Sequence, residues 1–144
     1  MEFSSLADVS EYLSRTGRGV RSSRNGELAQ CTYDHHGTPV IVTLRQLLFP
    51  TGSLWLGLSI PICPFERIRP RTALVANGEL PIGVLALWEE QILLRQTLPL
   101  SALTAEPLEQ TLRALADTAA QLVLIAARMA ADPSQETPYG YLFR

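Results

Sequence analysis

Two adjacent histidines are the residues of this sequence best suited to chemistry. His35 and His36 follow Asp34, and Cys31 lies nearby on the same stretch. Zinc takes Cys, His and carboxylate ligands, so this set could in principle hold a zinc ion, with Cys63 as the other thiol of the chain. Adjacent histidines on a turn rarely aim at one point, however, and no Cys-x-x-Cys pair anchors the set. The simpler interpretation is a polar turn and two buried cysteines, so we predict no metal site and no cofactor.

No nucleophile or phosphate loop lies in a catalytic pattern. The chain has no Gly-x-Ser-x-Gly elbow and no Gly-x-x-x-x-Gly-Lys string. Cys63 lies between Ile62 and Pro64, without a neighbouring charge that would lower its pKa. Glu89 and Glu90 are consecutive residues of a predicted hairpin turn, where neighbouring side chains diverge. We therefore predict that the chain is not an enzyme.

The composition limits the classes of partner. Charged residues make up 18% of the chain, against about 25% in typical domains. A thinly charged surface favours an oligomer or a bound protein, and the net charge of -2 gives no general attraction to nucleic acid or membranes. The Ser-rich start lacks the regions of a signal peptide, and no continuous apolar run approaches the roughly 20 residues of a membrane span. We expect a cytoplasmic protein.

One basic run supports an alternative function. Arg15, Arg18, Arg21 and Arg24 are spaced three residues apart. Such a run could bind phosphates or an acidic protein segment. Its simpler interpretation is a solvated linker over Arg18 to Asn25.

The element that organises the chain is a long helix over Ala105–Ala131. Thr104 is a plausible N-cap, Pro107 lies in the first turn, and Asp132-Pro133 supplies the stop. Its apolar residues recur at spacings of three and four, which aligns them on one side: Leu108, Leu112, Leu115, Ala119, Leu122, Ala126 and Met129. A rod of this kind requires a broad apolar surface to lie on.

The preceding sequence predicts that surface as a sheet. Leu54–Ile62 alternates strictly between large apolar and other residues, the clearest strand pattern in the chain. The other predicted elements are a helix from Ser4 to about Arg15, strands Leu28–Tyr33 and Thr38–Phe49, a helix Phe65–Asn77 disturbed at Pro70, and strands Ile82–Trp88 and Ile92–Leu98. Short connections imply antiparallel pairing. We predict an α+β fold with a single antiparallel sheet of about five strands, in the order α-β-β-β-α-β-β-α, and the long C-terminal helix packed on it. We expect one domain, 1–132, and a tail, 133–144.

Three strings in the second half resemble a known superfamily. Trp55–Ile62, Asn77–Gly83 and Leu94–Leu100 resemble the third strand, the helix-to-strand junction and the end of the last strand of the type III secretion chaperone-like superfamily, which includes class I secretion chaperones and YbjN-like proteins. The resemblance covers roughly Ser4 to Asp132. It implies a non-enzymatic protein that often dimerises and holds a partner segment on its surface. Class I chaperones are usually more acidic than this chain, so the resemblance favours a YbjN-like adaptor.

A sheet has two faces, and the long helix can cover only one of them. The second face is expected to carry large apolar residues with two arginines among them: Ile41, Trp55, Leu85, Leu87, Leu93, Arg45 and Arg95. Which set faces the helix is not decided by sequence. Self-association, a partner chain or the first two helices would have to cover the other face, because monomers rarely expose large apolar patches. We interpret these residues as a partner-binding or dimer surface.

The aromatic tail completes the predicted surface. Tyr139, Tyr141, Leu142 and Phe143 are costly to expose, so the tail docks either on its own domain or on another chain. We predict a homodimeric, chaperone-like adaptor that shields an extended or apolar segment of a protein partner, without a membrane partner. The alternative is a regulatory module that binds nucleic acid or an acidic partner through Arg15–Arg24.

Overall fold

The computed structural model describes residues 2–23, 26–134 and 138–143, which form three α-helices and eight strands. The helices are α1 (Leu6–Arg15), α2 (Pro70–Ala76) and α3 (Ala105–Ala131). The strands are β1 (Glu2–Phe3), β2 (Val20–Ser22), β3 (Leu28–His35), β4 (Thr38–Leu48), β5 (Leu54–Pro64), β6 (Val84–Trp88), β7 (Gln91–Pro99) and β8 (Leu103–Thr104). Two 3₁₀ turns cover Phe65–Arg67 and Gly140–Leu142.

The main sheet has six antiparallel strands in the order β2-β3-β4-β5-β7-β6, and β1 pairs with β8 in a separate two-stranded sheet. The α+β class and the packing of the long helix on an antiparallel sheet are confirmed, but the prediction of one sheet of about five strands is wrong. The missed strand β2 lies in the segment predicted as a linker, where Val20 pairs with Cys31. Strands of two or three residues are too short to show an alternating pattern.

The helix α3 has the predicted bounds and the predicted buried side. All seven residues of its apolar stripe are buried, and it packs against β3, β5 and β7. By length and composition alone α3 is apolar enough to cross a membrane. Its buried stripe against the sheet is instead the arrangement of a core helix.

The helix α2 is shorter than predicted, because Pro70 begins it. The predicted helix Phe65–Asn77 is divided into a 3₁₀ turn, an extended residue at Ile68, and α2 with Pro70 in its first turn. Proline lacks the backbone N–H that a helix interior requires, but the first turn leaves that group unpaired in any case.

Both helices that pack on the sheet lie on the same face. The Tyr12 hydroxyl of α1 donates a hydrogen bond to Glu109 of α3 at 2.8 Å, so the two helices are neighbours. Beneath them the fully buried sheet residues include Val42, Leu44, Leu58 and Leu94. The interpretation in which the first two helices cover the second face is therefore wrong for α1.

Candidate functional site

The opposite side of the sheet, which we call the open face, is a shallow depression lined by strand residues alone. Register places Arg45 opposite Gly57 and Ser59 opposite Arg95, alternating with the buried residues below. The depression has a volume of about 440 Å³ and runs across β3, β4, β5, β7 and β6. Its residues on this side include Leu28, Gln30, Thr43, Arg45, Leu47, Gly57, Ser59, Pro61, Ala86, Trp88, Leu93 and Arg95.

The floor of the depression is low because the central strand carries small residues there. Gly57 has no side chain, and a Cβ at this position would lie 3.3 Å from Cδ1 of Leu47. The neighbouring strands carry longer side chains. The result is a concave strip in which a segment of another chain could contact apolar side chains and backbone at once.

Two long side chains meet above this floor. The Arg45 guanidinium lies 4.9 Å from the centroid of the Trp88 ring, a cation–π contact. Arg45 is on β4 and Trp88 on β6, three strand positions apart in the sheet, or about 14 Å at the usual strand spacing. Both side chains therefore lean over β5 and β7, and Trp88 remains 54% exposed.

The charge of the depression is positive. Arg45 and Arg95 line it, and no acidic residue of the described part of the chain does so. None of the ion pairs found among the described residues involves either arginine. The depression therefore offers apolar area together with two guanidinium groups that can donate hydrogen bonds to carboxylates.

Five of the seven residues predicted for the second face of the sheet lie on this face. Ile41, which is 46% exposed, and Trp55, Leu93, Arg45 and Arg95 alternate onto it. The Trp55 ring stacks on Phe49 at a centroid distance of 4.8 Å.

Two predicted residues lie on the other side. Leu85 is opposite Leu94 and buried, and Leu87 is opposite Ile92 at the exposed sheet edge. Their placement on the second face is wrong, because the register of the β6–β7 hairpin puts them on the helix side and a shift of one residue exchanges the faces. Trp88, which sequence reasoning missed, occupies the open face instead. The alternating Leu-x-Leu-x pattern of β6 could not show which side of the strand faces the helices, because both of its sides are apolar.

The aromatic tail docks on its own domain. Phe143 pairs with Ile68 in an isolated antiparallel bridge, and the Arg69 N–H donates to the Leu142 carbonyl at 2.7 Å. Leu142 and Phe143 are fully buried, so Phe143 belongs to the core and is not an exposed partner-binding residue. Of the two predicted tyrosines, Tyr139 packs partly against the core, while Tyr141 is 46% exposed.

The outer edge of the sheet is closed at one point by a side chain. Asn77, just after α2, accepts a hydrogen bond from the Leu85 N–H at 2.7 Å and donates to the Leu85 carbonyl at 3.2 Å. An amide side chain thus takes the place that a further strand would occupy beside β6. Edge strands are commonly protected against pairing with other chains in such ways.

The basic run is partly used within the fold. Arg15 pairs with Glu11 on the surface of α1, and the two terminal guanidinium nitrogens of Arg18 donate to the two carboxylate oxygens of Glu109 at 2.6 Å. Burial alone would raise the pKa of Glu109, but hydrogen bonds from Arg18 and Tyr12 outweigh it and hold that pKa below its ordinary value. Arg21 is exposed, and Arg24 lies outside the described residues. Arg18 is therefore engaged within the fold and is not available to bind phosphate as part of this run.

The zinc set considered from sequence is not brought together as a whole: His35 and His36 are neighbours, with ring centroids 4.6 Å apart, but Asp34 and Cys31 are not part of their cluster. Asp34 accepts the Gly37 N–H at 2.8 Å and points to the other side of the sheet from His35. Cys31 is buried four residues further along the strand. Burial raises the pKa of Cys31 to about 11 and also raises that of Cys63, so neither thiol is a ready thiolate.

A second apolar surface was not predicted from the sequence. Leu74 and Val75 of α2 are 74% and 65% exposed, among the most exposed large hydrophobic side chains of the described residues. The prediction of a single helix over this region gave no means of telling which of its sides would be buried.

Comparison with known proteins gives the fold. No family model matches the chain, and no curated protein matches it. A chain in the crystal structure of the ExsC–ExsE complex is similar with a TM-score of 0.60 and 21% identity, over 80% of this chain and 87% of that one. A chain in the structure of the HopA1–SchA chaperone–effector complex is similar with a TM-score of 0.56 and 17% identity, over 80% and 89%. The predicted type III secretion chaperone-like fold is confirmed.

Proposed function

We propose that this chain is a non-enzymatic, chaperone-like adaptor of the cytoplasm that binds and shields a segment of a partner protein on the open face. The observation that carries the proposal is a concave sheet surface with exposed apolar side chains, which no helix of the described residues covers. The fold likeness supports it, because both similar structures are complexes between proteins and one is described as a chaperone–effector complex.

The chemistry of the open face favours a segment that combines apolar and acidic side chains. Leu93, Leu47 and Trp88 supply apolar contacts, and Arg45 and Arg95 supply donors for carboxylates. Because the Arg45–Trp88 contact spans the floor, a bound segment displaces it or lies on top of it. Asn77 closes the β6 edge at Leu85, which favours binding across the face over addition of a strand at this edge.

We further propose that the adaptor is a homodimer. Leu74 and Val75 of α2 lie outside the open face, so self-association through them leaves that face available. Burying two such side chains contributes roughly 3–5 kcal/mol per chain before the costs of association.

A matched pair of variants tests the partner proposal. Leu93→Asp with Arg95→Glu alters an apolar residue and an arginine of the open face, while Leu124→Asp with Arg128→Glu makes the same changes on the exposed side of α3. Each tagged protein is purified from its native cells, and bound proteins are identified by mass spectrometry. We expect a partner that is retained by the wild type and the α3 variant and lost from the open-face variant.

The partner segment identified in this way is then added to the purified chain. The two tryptophans of the chain, Trp55 and Trp88, both lie on the open face, so intrinsic fluorescence reports binding directly. A partner retained equally by all three proteins, or a segment that binds without any change in tryptophan emission, would refute binding at this face.

A further inference from the structure

The turn between β3 and β4 brings both histidines of the chain against α3. His35 is on the helix side of the sheet, and its Nδ1 lies 2.9 Å from an Oδ1 of Asp117. The His36 ring lies edge-on to the His35 ring, with the centroids 4.6 Å apart. One ligand atom from each of His35, His36 and Asp117 lies within 4.8 Å of the other two.

From this geometry we infer that His35, His36 and Asp117 form a binding site for a divalent transition metal such as Zn²⁺. Two imidazoles and a carboxylate are the ligand set that such ions prefer, whereas Mg²⁺ and Ca²⁺ prefer oxygen ligands. Three protein ligands leave one position of a tetrahedral site for water. The proposal does not depend on the open face or on a protein partner.

The cluster is close to the dimensions of a bound site. With Zn–N and Zn–O bonds of about 2.0–2.1 Å, ligand atoms of a tetrahedral site stand roughly 3.4 Å apart. The His35–Asp117 pair is slightly closer than this, and the spread of 4.8 Å requires a modest rotation of the third side chain. His36 is exposed and can make that rotation.

The turn itself does not require histidine at this position. His36 has a φ of 51°, in the left-handed region, and is followed by Gly37 at 85°. Asn is at least as well suited to the first position of such a two-residue turn. The substitution His36→Asn therefore removes one ligand while the hairpin, and the His35–Asp117 contact, remain.

The ligand set differs from the one that sequence suggested. Asp34 serves the turn, and Cys31 lies about 13 Å from His35 along the strand, on the usual rise per residue. Asp117, which is 82 residues away from His35 in the numbering, could be found only from the fold. A bound ion would tie the β3–β4 hairpin to the middle of α3 and stabilise the folded state by mass action.

The test uses untagged full-length protein freed of metal, and Zn²⁺ and Co²⁺ as the probes. We expect one Zn²⁺ per chain by calorimetry, shifts of both imidazole NMR signals, and a Tm raised by about 5 °C at saturating Zn²⁺ but not by Mg²⁺. His36→Asn and Asp117→Asn should each weaken Zn²⁺ binding at least about 10-fold. Asp34→Asn, which changes the neighbouring carboxylate but keeps its acceptor for Gly37, should leave binding unchanged.

Three results would overturn the inference. The first is an absence of heat and of imidazole shifts with excess Zn²⁺. The second is equal binding by His36→Asn and by Asp34→Asn. The third is an intense sulfur-to-cobalt charge-transfer band, which would assign the metal to Cys31 or Cys63.

Discussion

At the scale of single residues, Arg18 shows how a charge that sequence assigns to the surface becomes part of the fold. Its guanidinium makes two contacts of 2.6 Å with Glu109 of α3 and lies 5.6 Å from the Tyr33 ring centroid. The side chain is 19% exposed, and that of Glu109 is 32% exposed. This pair links the segment before β2 to α3, so we expect it to contribute to stability rather than to nucleic-acid binding.

Replacing this arginine should reduce stability in a pH-dependent way. We expect Arg18→Met to lower the free energy of unfolding by about 1–2 kcal/mol at pH 7, measured by urea denaturation. The folded-state pKa of Glu109 is lowered, so its contribution is present above the unfolded value near 4.5 and is lost as pH falls through the folded pKa. The difference between Arg18→Met and wild type should therefore shrink below about pH 4.5.

The surface pair on α1 provides the control for this prediction. Arg15→Met removes an arginine whose side chain is 68% exposed, and it should cost no more than about 0.5 kcal/mol at any pH. If both variants lose equal stability, or if the Arg18→Met difference does not depend on pH, the assignment of Arg18 to the fold is wrong.

At the scale of elements, the long and periodic elements could be predicted from the sequence, and the short elements could not. The bounds of α3 follow from twenty-seven residues with one apolar stripe and a terminating Asp-Pro, so its prediction was confirmed. The strand β2 has three residues and is held by pairing with β3, which no local pattern records. The cluster of His35 with Asp117 could not be predicted for the same reason, because contacts between distant elements depend on the whole fold.

The β6 edge gives the second prediction. In Asn77→Ala the Leu85 N–H and carbonyl lose both hydrogen bonds, so we expect the free energy of unfolding to fall by about 1–3 kcal/mol. The exposed edge should also increase self-association of the variant, measured by light scattering at increasing protein concentration.

A neighbouring position serves as the control for the edge. Glu79→Ala removes an exposed side chain two residues further on, whose contact with the Tyr141 hydroxyl is 3.4 Å long, and should change stability by less than about 0.5 kcal/mol. Equal behaviour of Asn77→Ala and Glu79→Ala would show that Asn77 does not protect the edge.

The tail gives the third prediction, again at the scale of an element. Phe143 is 1% exposed beside Ile68, so Phe143→Ala should lower the free energy of unfolding by about 3–5 kcal/mol. Tyr141→Ala, at a half-exposed position of the same turn, should cost less than about 1 kcal/mol. A similar small effect of both substitutions on thermal or urea unfolding would contradict docking of the tail on its own domain.

At the scale of the whole molecule, coverage of the sheet is one-sided. The sequence could predict that a face would be left over, because only one long amphipathic helix was available. It could not predict that α1 lies beside α3 on the same side, since this depends on a contact such as Tyr12 with Glu109. Which side of the sheet is open, and the depression over Gly57, could therefore be read only from the fold. The YbjN-like assignment stays a prediction.

The exposed apolar residues outside the open face give the last prediction, which concerns the proposed dimer. Leu74 and Val75 are adjacent on α2, and Val123 and Leu124 form a comparable exposed pair on α3, at 41% and 51% exposure. We expect the wild type to sediment as a dimer at micromolar concentration and Leu74→Glu with Val75→Glu to sediment as a monomer, because each buried carboxylate would lose its hydration. Val123→Glu with Leu124→Glu should remain dimeric. A monomeric wild type would refute the dimer. Loss of the dimer in the α3 variant alone would place the interface on α3 and not on α2. In either case, binding at the open face can still be measured independently by tryptophan fluorescence.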